Sequence, residues 1–258
     1  MRRIPYTRGL WHRGKSLFTR GFFFDRPLLL IQSDDWGRIG TRDQEGFEEL
    51  KDAGLSPGQN PYDYYSLETS EDVGALSALL QRHRDSVSRT PVLGAYFVVS
   101  NVDFLEAAAL TYQRIPMRSL AGGLPGRWSR PGLLEAYRAA VAVGTMYPAL
   151  HGTSHFCRNA VHRELRAGSQ RGELLRTLWK SETPYVFWRM PWIGYEYWDP
   201  GRCPAERQLC PELQAAAIRE AVQGFQSIFS TAPQSACAPG YRADANTHRA
   251  WKDCGVQI

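Results

Sequence analysis

Apolar and polar positions along this chain fall into blocks that switch between strand-like runs and helix-like periods. Residues 27–32 (Pro-Leu-Leu-Leu-Ile-Gln) form a short continuous apolar run ending in Ser-Asp-Asp. That pattern predicts a buried strand with carboxylates at its C-terminal end. Thr41 can cap a helix reaching about Gly54, with Phe47, Leu50 and Lys51 following the start. A loop rich in Pro, Gly, Asn and Tyr fills 55–68. Ser70 then opens a second helix with Val73, Leu76, Leu80 and Val87 on one face. Residues 91–99 read as a second buried strand and 100–130 as irregular. Pro131 suits the first position of a helix to about Val143, with Gly144 as its C-terminal cap. A short strand at 147–150 ends in His151. A helix with charged faces is expected at 159–180, and an aromatic loop without clear period at 183–210. The strongest helix is 211–229, where Leu213, Ile218, Val222, Phe225 and Phe229 keep register. A strand at 235–238, a helix capped by Asp244 and ending near Gly255, and the start of another strand at 256–258 close the pattern.

Strand and helix alternate from 27 to 258. This argues an α/β fold with a parallel sheet or barrel and crossover helices. In such folds the chemistry sits at the C-terminal ends of the strands. Asp34, Asp35 and His151 take such places in this reading.

Composition narrows the classes. At 43% hydrophobic and 22% charged residues over 258 positions, the chain can bury a core and is not a disordered segment. No apolar run approaches the length of a membrane span. The net charge of +5 is local: Arg2, Arg3, Arg8, Arg13, Lys15 and Arg20 lie in residues 1–24, which hold no acid, and the remainder carries −1. A broad nucleic-acid face is thereby excluded. The chain is expected to divide into a basic arm, 1–24, and a body, 25–258. The arm reads either as a solvated extension or as a peripheral contact to an acidic membrane surface. It has no continuous apolar segment of secretory type. The five scattered cysteines, Cys157, Cys203, Cys210, Cys237 and Cys254, fit a reducing compartment, so a cytoplasmic location is expected. Cys203 and Cys210 read either as a pair bridging a loop or as two unpaired thiols.

Two motifs carry chemistry. Ser33-Asp34-Asp35-Trp36-Gly37 brings adjacent carboxylates to a strand end. Two anions at one spot repel unless a cation or proton lies between them. The pair therefore reads either as a metal ligand beside a proton acceptor or as two helix-capping acids. His151-Gly-Thr-Ser-His155 supplies two imidazoles four residues apart, which on a helical turn share one face. It lacks the Glu of the H-E-x-x-H zincins. One carboxylate and two imidazoles leave open positions on a metal, the composition of a hydrolytic site.

The strand ending in Asp-Asp-x-Gly and the later His-x-x-x-His resemble the first two motifs of the polysaccharide deacetylase superfamily (NodB-homology, carbohydrate esterase family 4). Residues 231–241, Thr-Ala-Pro-Gln-Ser-Ala-Cys-Ala-Pro-Gly-Tyr, with a helix on either side, are similar to its proline-tyrosine strand loop. The resemblance covers about 27–258. It implies an irregular (β/α) barrel, incomplete at the C-terminus because the chain ends inside an element. It implies a divalent cation, zinc first and cobalt, manganese or nickel as alternatives, held by Asp35, His151 and His155. Asp34 would be the general base. A backbone N–H near Gly240–Tyr241 would stabilise the oxyanion. The implied reaction is removal of acetyl groups, N-acetyl above all, from a carbohydrate.

Two departures stand against the pattern. The superfamily's third motif carries an Arg that orients the base, and none precedes Pro239. Arg242 could take that place, and Arg189-Met-Pro-Trp192 is a competing match. The superfamily's late His, a general acid, has no counterpart before Ile258. The rival reading is therefore a non-catalytic carbohydrate-binding or scaffolding relative. Trp188, Trp192, Tyr195, Tyr197 and Trp198 crowd one insertion. They suit either stacking on sugar rings or a small core of their own. Trp36 is expected to wall the pocket, and Glu196 and Asp199 either bond sugar hydroxyls or face solvent.

Overall fold

A computed structural model describes residues 28–186 and 190–257. The arm at 1–24, Trp188, Arg189 and Ile258 lie outside the described residues. The chain divides into two units, Met1–Ile31 and Gln32–Ile258. In the first, residues 28–31 carry no regular element, and Leu28, Leu29 and Leu30 are 63%, 86% and 75% exposed. The apolar run is therefore not the buried strand its composition predicts.

In the second unit the strand begins after that run. β1, Gln32–Trp36, is made of Gln32, Ser33, the acid pair and Trp36. It is a strand because β2, Leu93–Phe97, offers it a parallel ladder, with Gln32 opposite Gly94 and Ser33 opposite Ala95. β2 in turn pairs in parallel with the strand Met146–Leu150, from Leu93 opposite Met146 to Phe97 opposite Leu150. β2 alternates buried and half-buried positions, as a central strand does.

The helices follow their capping chemistry. α1, Gln44–Asp52, starts two residues later than Thr41 would allow, because Asp43 accepts from Gly46 N and is the true cap. α2, Ser70–Gln81, opens with a reciprocal Thr69–Asp72 capping box. The stretch 100–130, expected to be irregular, holds β3 (Ser100–Val102) and β4 (Met117–Ser119), paired antiparallel, with α3 (Phe104–Ala109) between them. α4, Leu133–Ala142, follows Gly132. β5, Met146–Leu150, leads into the histidines. The single helix expected at 159–180 is two, α5 (Arg158–Arg166) and α6 (Gln170–Lys180), because Ser169 caps the second through Gly172 N.

α7, Pro211–Phe229, matches its predicted span. Its buried Gln214, Ala217, Ile218, Ala221, Val222, Phe225 and Ile228 recur at helical spacing, and Pro211 sits in the first turn. α8, Ala245–Asp253, is capped by Asp244 as expected. The strand expected at 235–238 is reduced to one parallel bridge, Leu150 with Ala236, flanked by Leu150 N–Ser235 O (3.0 Å) and Cys237 N–Leu150 O (2.9 Å). Beyond it, Gln257 N donates to Gln234 O at 2.9 Å.

The architecture is α/β. The barrel expected from the resemblance is an open parallel sheet among the described residues, ordered β1-β2-β5. The core lies between this sheet and the helices. Phe97 on β2 packs edge-on against Tyr137 of α4 and Phe229 of α7, each with ring centroids 4.9 Å apart. Burying one such ring is worth about 1.5–3 kcal/mol. No helix among the described residues is long and apolar enough to cross a membrane. All five cysteines are free.

Candidate active site

The acid pair lies within β1 rather than after it. Between Ser33 and Trp36 the strand slips against β2, taking three steps where its partner takes two. Such a bulge re-aims side chains. Asp35 sits in it at φ 67, a conformation that costs a non-glycine residue about 1–3 kcal/mol. The result sends Asp35 toward the histidines and Asp34 toward Tyr241.

Buried polar groups brace this kink. Arg38, three residues on, reaches back to Asp35 Oδ2 at 2.9 Å and donates to the Tyr185 hydroxyl at 2.8 Å. Its guanidinium lies 4.0 Å above the Tyr65 ring. Burial opposes that charge, but Tyr185, Tyr65 and Asp35 together hold its pKa above the ordinary value. Tyr65 donates to the carbonyls of Asp35 and Arg38. Gly37 N donates to Glu68 Oε1 at 3.0 Å, and the Tyr137 hydroxyl bonds the same oxygen. Burial pushes the Glu68 carboxyl up. Asn101 accepts from Ile39 N and donates to Gly37 O.

The histidines hang from the other neighbour of β2. His151 follows the last residue of β5, and its N–H donates to Phe97 O at 2.7 Å. The turn to His155 is irregular rather than helical, with Gly152 at φ 94. His151 is fully buried. Its Nδ1 lies 2.9 Å from Cys237 O. A carbonyl oxygen can only accept, so Nδ1 carries the proton and Nε2 presents a lone pair. That lone pair faces Asp35 Oδ1 at 3.7 Å, and both atoms are buried with no hydrogen-bond partner. His155 Nε2 lies 3.4 Å from the same oxygen. Asp35, His151 and His155 each offer a ligand atom within 4.8 Å of the others. Two buried acceptors face to face, with a second imidazole beside them, are a donor set suited to a divalent cation. Burial lowers the pKa of His151 and lowers that of His155 further, a shift toward the neutral ring that ligation requires.

Asp34 is exposed at the outer edge, where the Tyr241 hydroxyl donates to its Oδ2 at 3.2 Å. Tyr241 is itself 76% exposed. Its N–H is committed to Ala238 O at 2.8 Å, so the phenol rather than the backbone amide reaches the acid pair. Gly240, at φ 61, lies flat against the Tyr195 ring, where an added Cβ would come within 2.2 Å. Arg242 does not reach the carboxylates; it lies over Trp198 at 4.9 Å. Trp36 is half-buried and turns to Phe97 and Tyr137, with ring centroids 6.2 and 6.3 Å away. Trp192 is half-buried under the Arg171 guanidinium.

The aromatic insertion passes close by. Tyr195 sets its ring edgewise to His155, centroids 5.7 Å apart. Glu196 and Asp199 are both buried, 3% and 2% exposed. Glu196 takes backbone N–H groups of the histidine turn, and Asp199 forms a two-pronged pair with Arg163 at 2.7 and 2.9 Å. Sequence reasoning brought Asp34, Asp35, His151, His155 and Tyr241 to one place. It missed Arg38, Glu68, Asn101, Tyr185 and the inward role of Glu196. Arg38 carried a signal in its i+3 spacing from Asp35, and Glu196 in its position between two tyrosines.

No family model and no curated protein matches the chain. Solved structures do. A polysaccharide deacetylase from Bacillus cereus aligns with a TM-score of 0.33 and 12% identity over 88% of this chain, which spans 54% of that protein. IcaB from Ammonifex degensii aligns at 0.31 and 14% identity, covering 82% of this chain and 71% of its own. The BpsB deacetylase domain from Bordetella bronchiseptica aligns at 0.32 and 12% identity, covering 90% and 81%. Likeness at this level says nothing of residue roles, which rest on the geometry above.

Proposed function

We propose that this chain is a metal-dependent hydrolase that removes acetyl groups, N-acetyl above all, from a carbohydrate. The observation that carries the reading is the pair of atoms Asp35 Oδ1 and His151 Nε2, buried face to face without a hydrogen-bond partner, beside His155. The sugar substrate class comes from the sequence resemblance. Asp35, His151 and His155 would hold a divalent cation, zinc first, which when bound supplies Lewis acidity and lowers the pKa of water.

The remaining work falls to the chain. Asp34 stands outside the ligand set and is assigned uptake of the proton from the attacking water, as a carboxylate general base. The Tyr241 phenol holds that carboxylate by its Oδ2. Arg38 holds Asp35 by its other oxygen and so leaves Oδ1 turned to the histidines. The Nδ1–Cys237 bond fixes the tautomer of His151.

The test is acetate release from N-acetylglucosamine oligomers by zinc-loaded protein, with elemental analysis of the same sample. One zinc per chain with acetate release is expected. Purified protein that holds no stoichiometric metal, or that holds zinc and releases no acetate from any acetylated sugar, would sink the proposal.

A further inference from the structure

The segment 193–199 runs as a strap along the histidine turn. Cys157 N donates to Ile193 O at 3.0 Å, Tyr195 abuts His155, and Asp199 anchors the far end on Arg163. Glu196 lies at its centre, 3% exposed. Thr153 N donates to both of its oxygens, at 2.9 and 3.1 Å, and Ser154 N donates to Oε1 at 3.3 Å. Gly152 presses so closely that an added Cβ would stand 2.0 Å from Oε2. The three residues between the two histidines thus wrap a single buried carboxylate.

A five-residue turn outside a helix lacks the i to i−4 bonds that would set its shape. Its amides must bond elsewhere, and here two of them converge on one side chain. Burial pushes the Glu196 carboxyl up to about 7, and the nearby Arg158 guanidinium works against that rise. Arg158 itself is engaged by Glu220.

We propose that Glu196 is the positioning residue that fixes the 151–155 turn, so that His151 and His155 converge on Asp35. It touches neither imidazole and acts through the backbone between them. The inference deepens the deacetylase reading and rests on it for the identity of the metal.

The test compares wild type, Glu196→Gln, Glu196→Ala and a core truncation in α2, Val73→Ala, as full-length chains. Zn²⁺ affinity by chelator competition, amide hydrogen exchange at Thr153 and Ser154, and thermal midpoint are read on each. Gln keeps one acceptor oxygen, so Glu196→Gln should weaken zinc about tenfold and Glu196→Ala about a hundredfold, the range seen for residues that support ligands. Both amides should exchange at least about tenfold faster in Glu196→Ala, which removes both acceptor oxygens, with Glu196→Gln between it and wild type. Val73→Ala should lower the midpoint and leave affinity and exchange at those two amides unchanged. The proposal is overturned if Glu196→Ala keeps wild-type exchange, if exchange rises while zinc affinity holds, or if Val73→Ala weakens zinc equally. If wild type binds no zinc, the deacetylase reading fails on its own, and the exchange ratio alone then decides whether Glu196 holds the turn.

Discussion

The two halves of the site, the acid kink of β1 and the histidine turn after β5, hang from opposite edges of the same strand, β2. Each breaks regular structure to present its ligands. β1 does so with a bulge and a left-handed Asp35, the histidine turn with a left-handed Gly152. They differ in what holds them. The acid kink is braced from several directions, by Arg38, Tyr65, Glu68 and Asn101, yet ends in an exposed Asp34. The histidine turn buries His151 fully, sets its two central amides on one carboxylate, Glu196, and its Gly152 and Thr153 carbonyls on the backbone amides of Val99 and Ser100. The difference separates two demands. Ligands need a fixed, dry geometry, whereas a base that meets water and substrate needs access.

The sharpest way to break this comparison is to remove a ligand from the buried half. His151→Ala should abolish stoichiometric metal and all acetate release. Its loss of affinity should exceed the roughly hundredfold that a supporting residue costs. Elemental analysis after dialysis checks it, and retained metal would show that the histidine half is not the anchor. Asp34→Asn, on the exposed half, should keep metal at wild-type stoichiometry and lower kcat by about 10²–10⁴, the usual share of a general base. Full activity in that variant would erase the division of labour. Arg38→Met tests the bracing. It removes the guanidinium that Asp35 Oδ2 and the Tyr185 hydroxyl both bond and should cost about 1–3 kcal/mol in denaturant unfolding. An unchanged midpoint would make the kink self-supporting. Tyr241→Phe should do least. The lost bond is exposed, so kcat should fall by at most about tenfold with no change in stability. A larger loss would mean that the base is held more rigidly than its exposure suggests.

Both motifs were legible because each pairs two chemically active residues at close spacing and their places on the sheet follow from alternation of strand and helix. α7 was legible for a different reason: its apolar positions recur for 19 residues, long enough to define a period. β1 was not. Hydrophobicity pointed to Leu28, Leu29 and Leu30, whereas the strand is set by pairing with β2 and is built of Gln, Ser and two Asp before its one apolar residue, Trp36. The elements inside 100–130 span three to six residues, too few to show a period. Glu196 and Arg38 escaped because a charged residue in a sequence reads as solvated until its partners are known. Those partners lie far along the chain, 147 residues away for Arg38 and Tyr185 and 43 for Glu196 and Thr153.

The strap has a further consequence for any attempt to reshape this protein by recombination. Its Tyr195 ring and Glu196 carboxylate leave imprints on two distant glycines, Gly240 and Gly152, neither of which has room for a single methyl group. Positions 152, 195, 196 and 240 therefore form one inheritable block. A chimera that imports residues 193–199 from another sequence while keeping both glycines, or the reverse, would mismatch a mould and its cast. Libraries that vary the four together should recover folded protein more often than libraries that vary them singly.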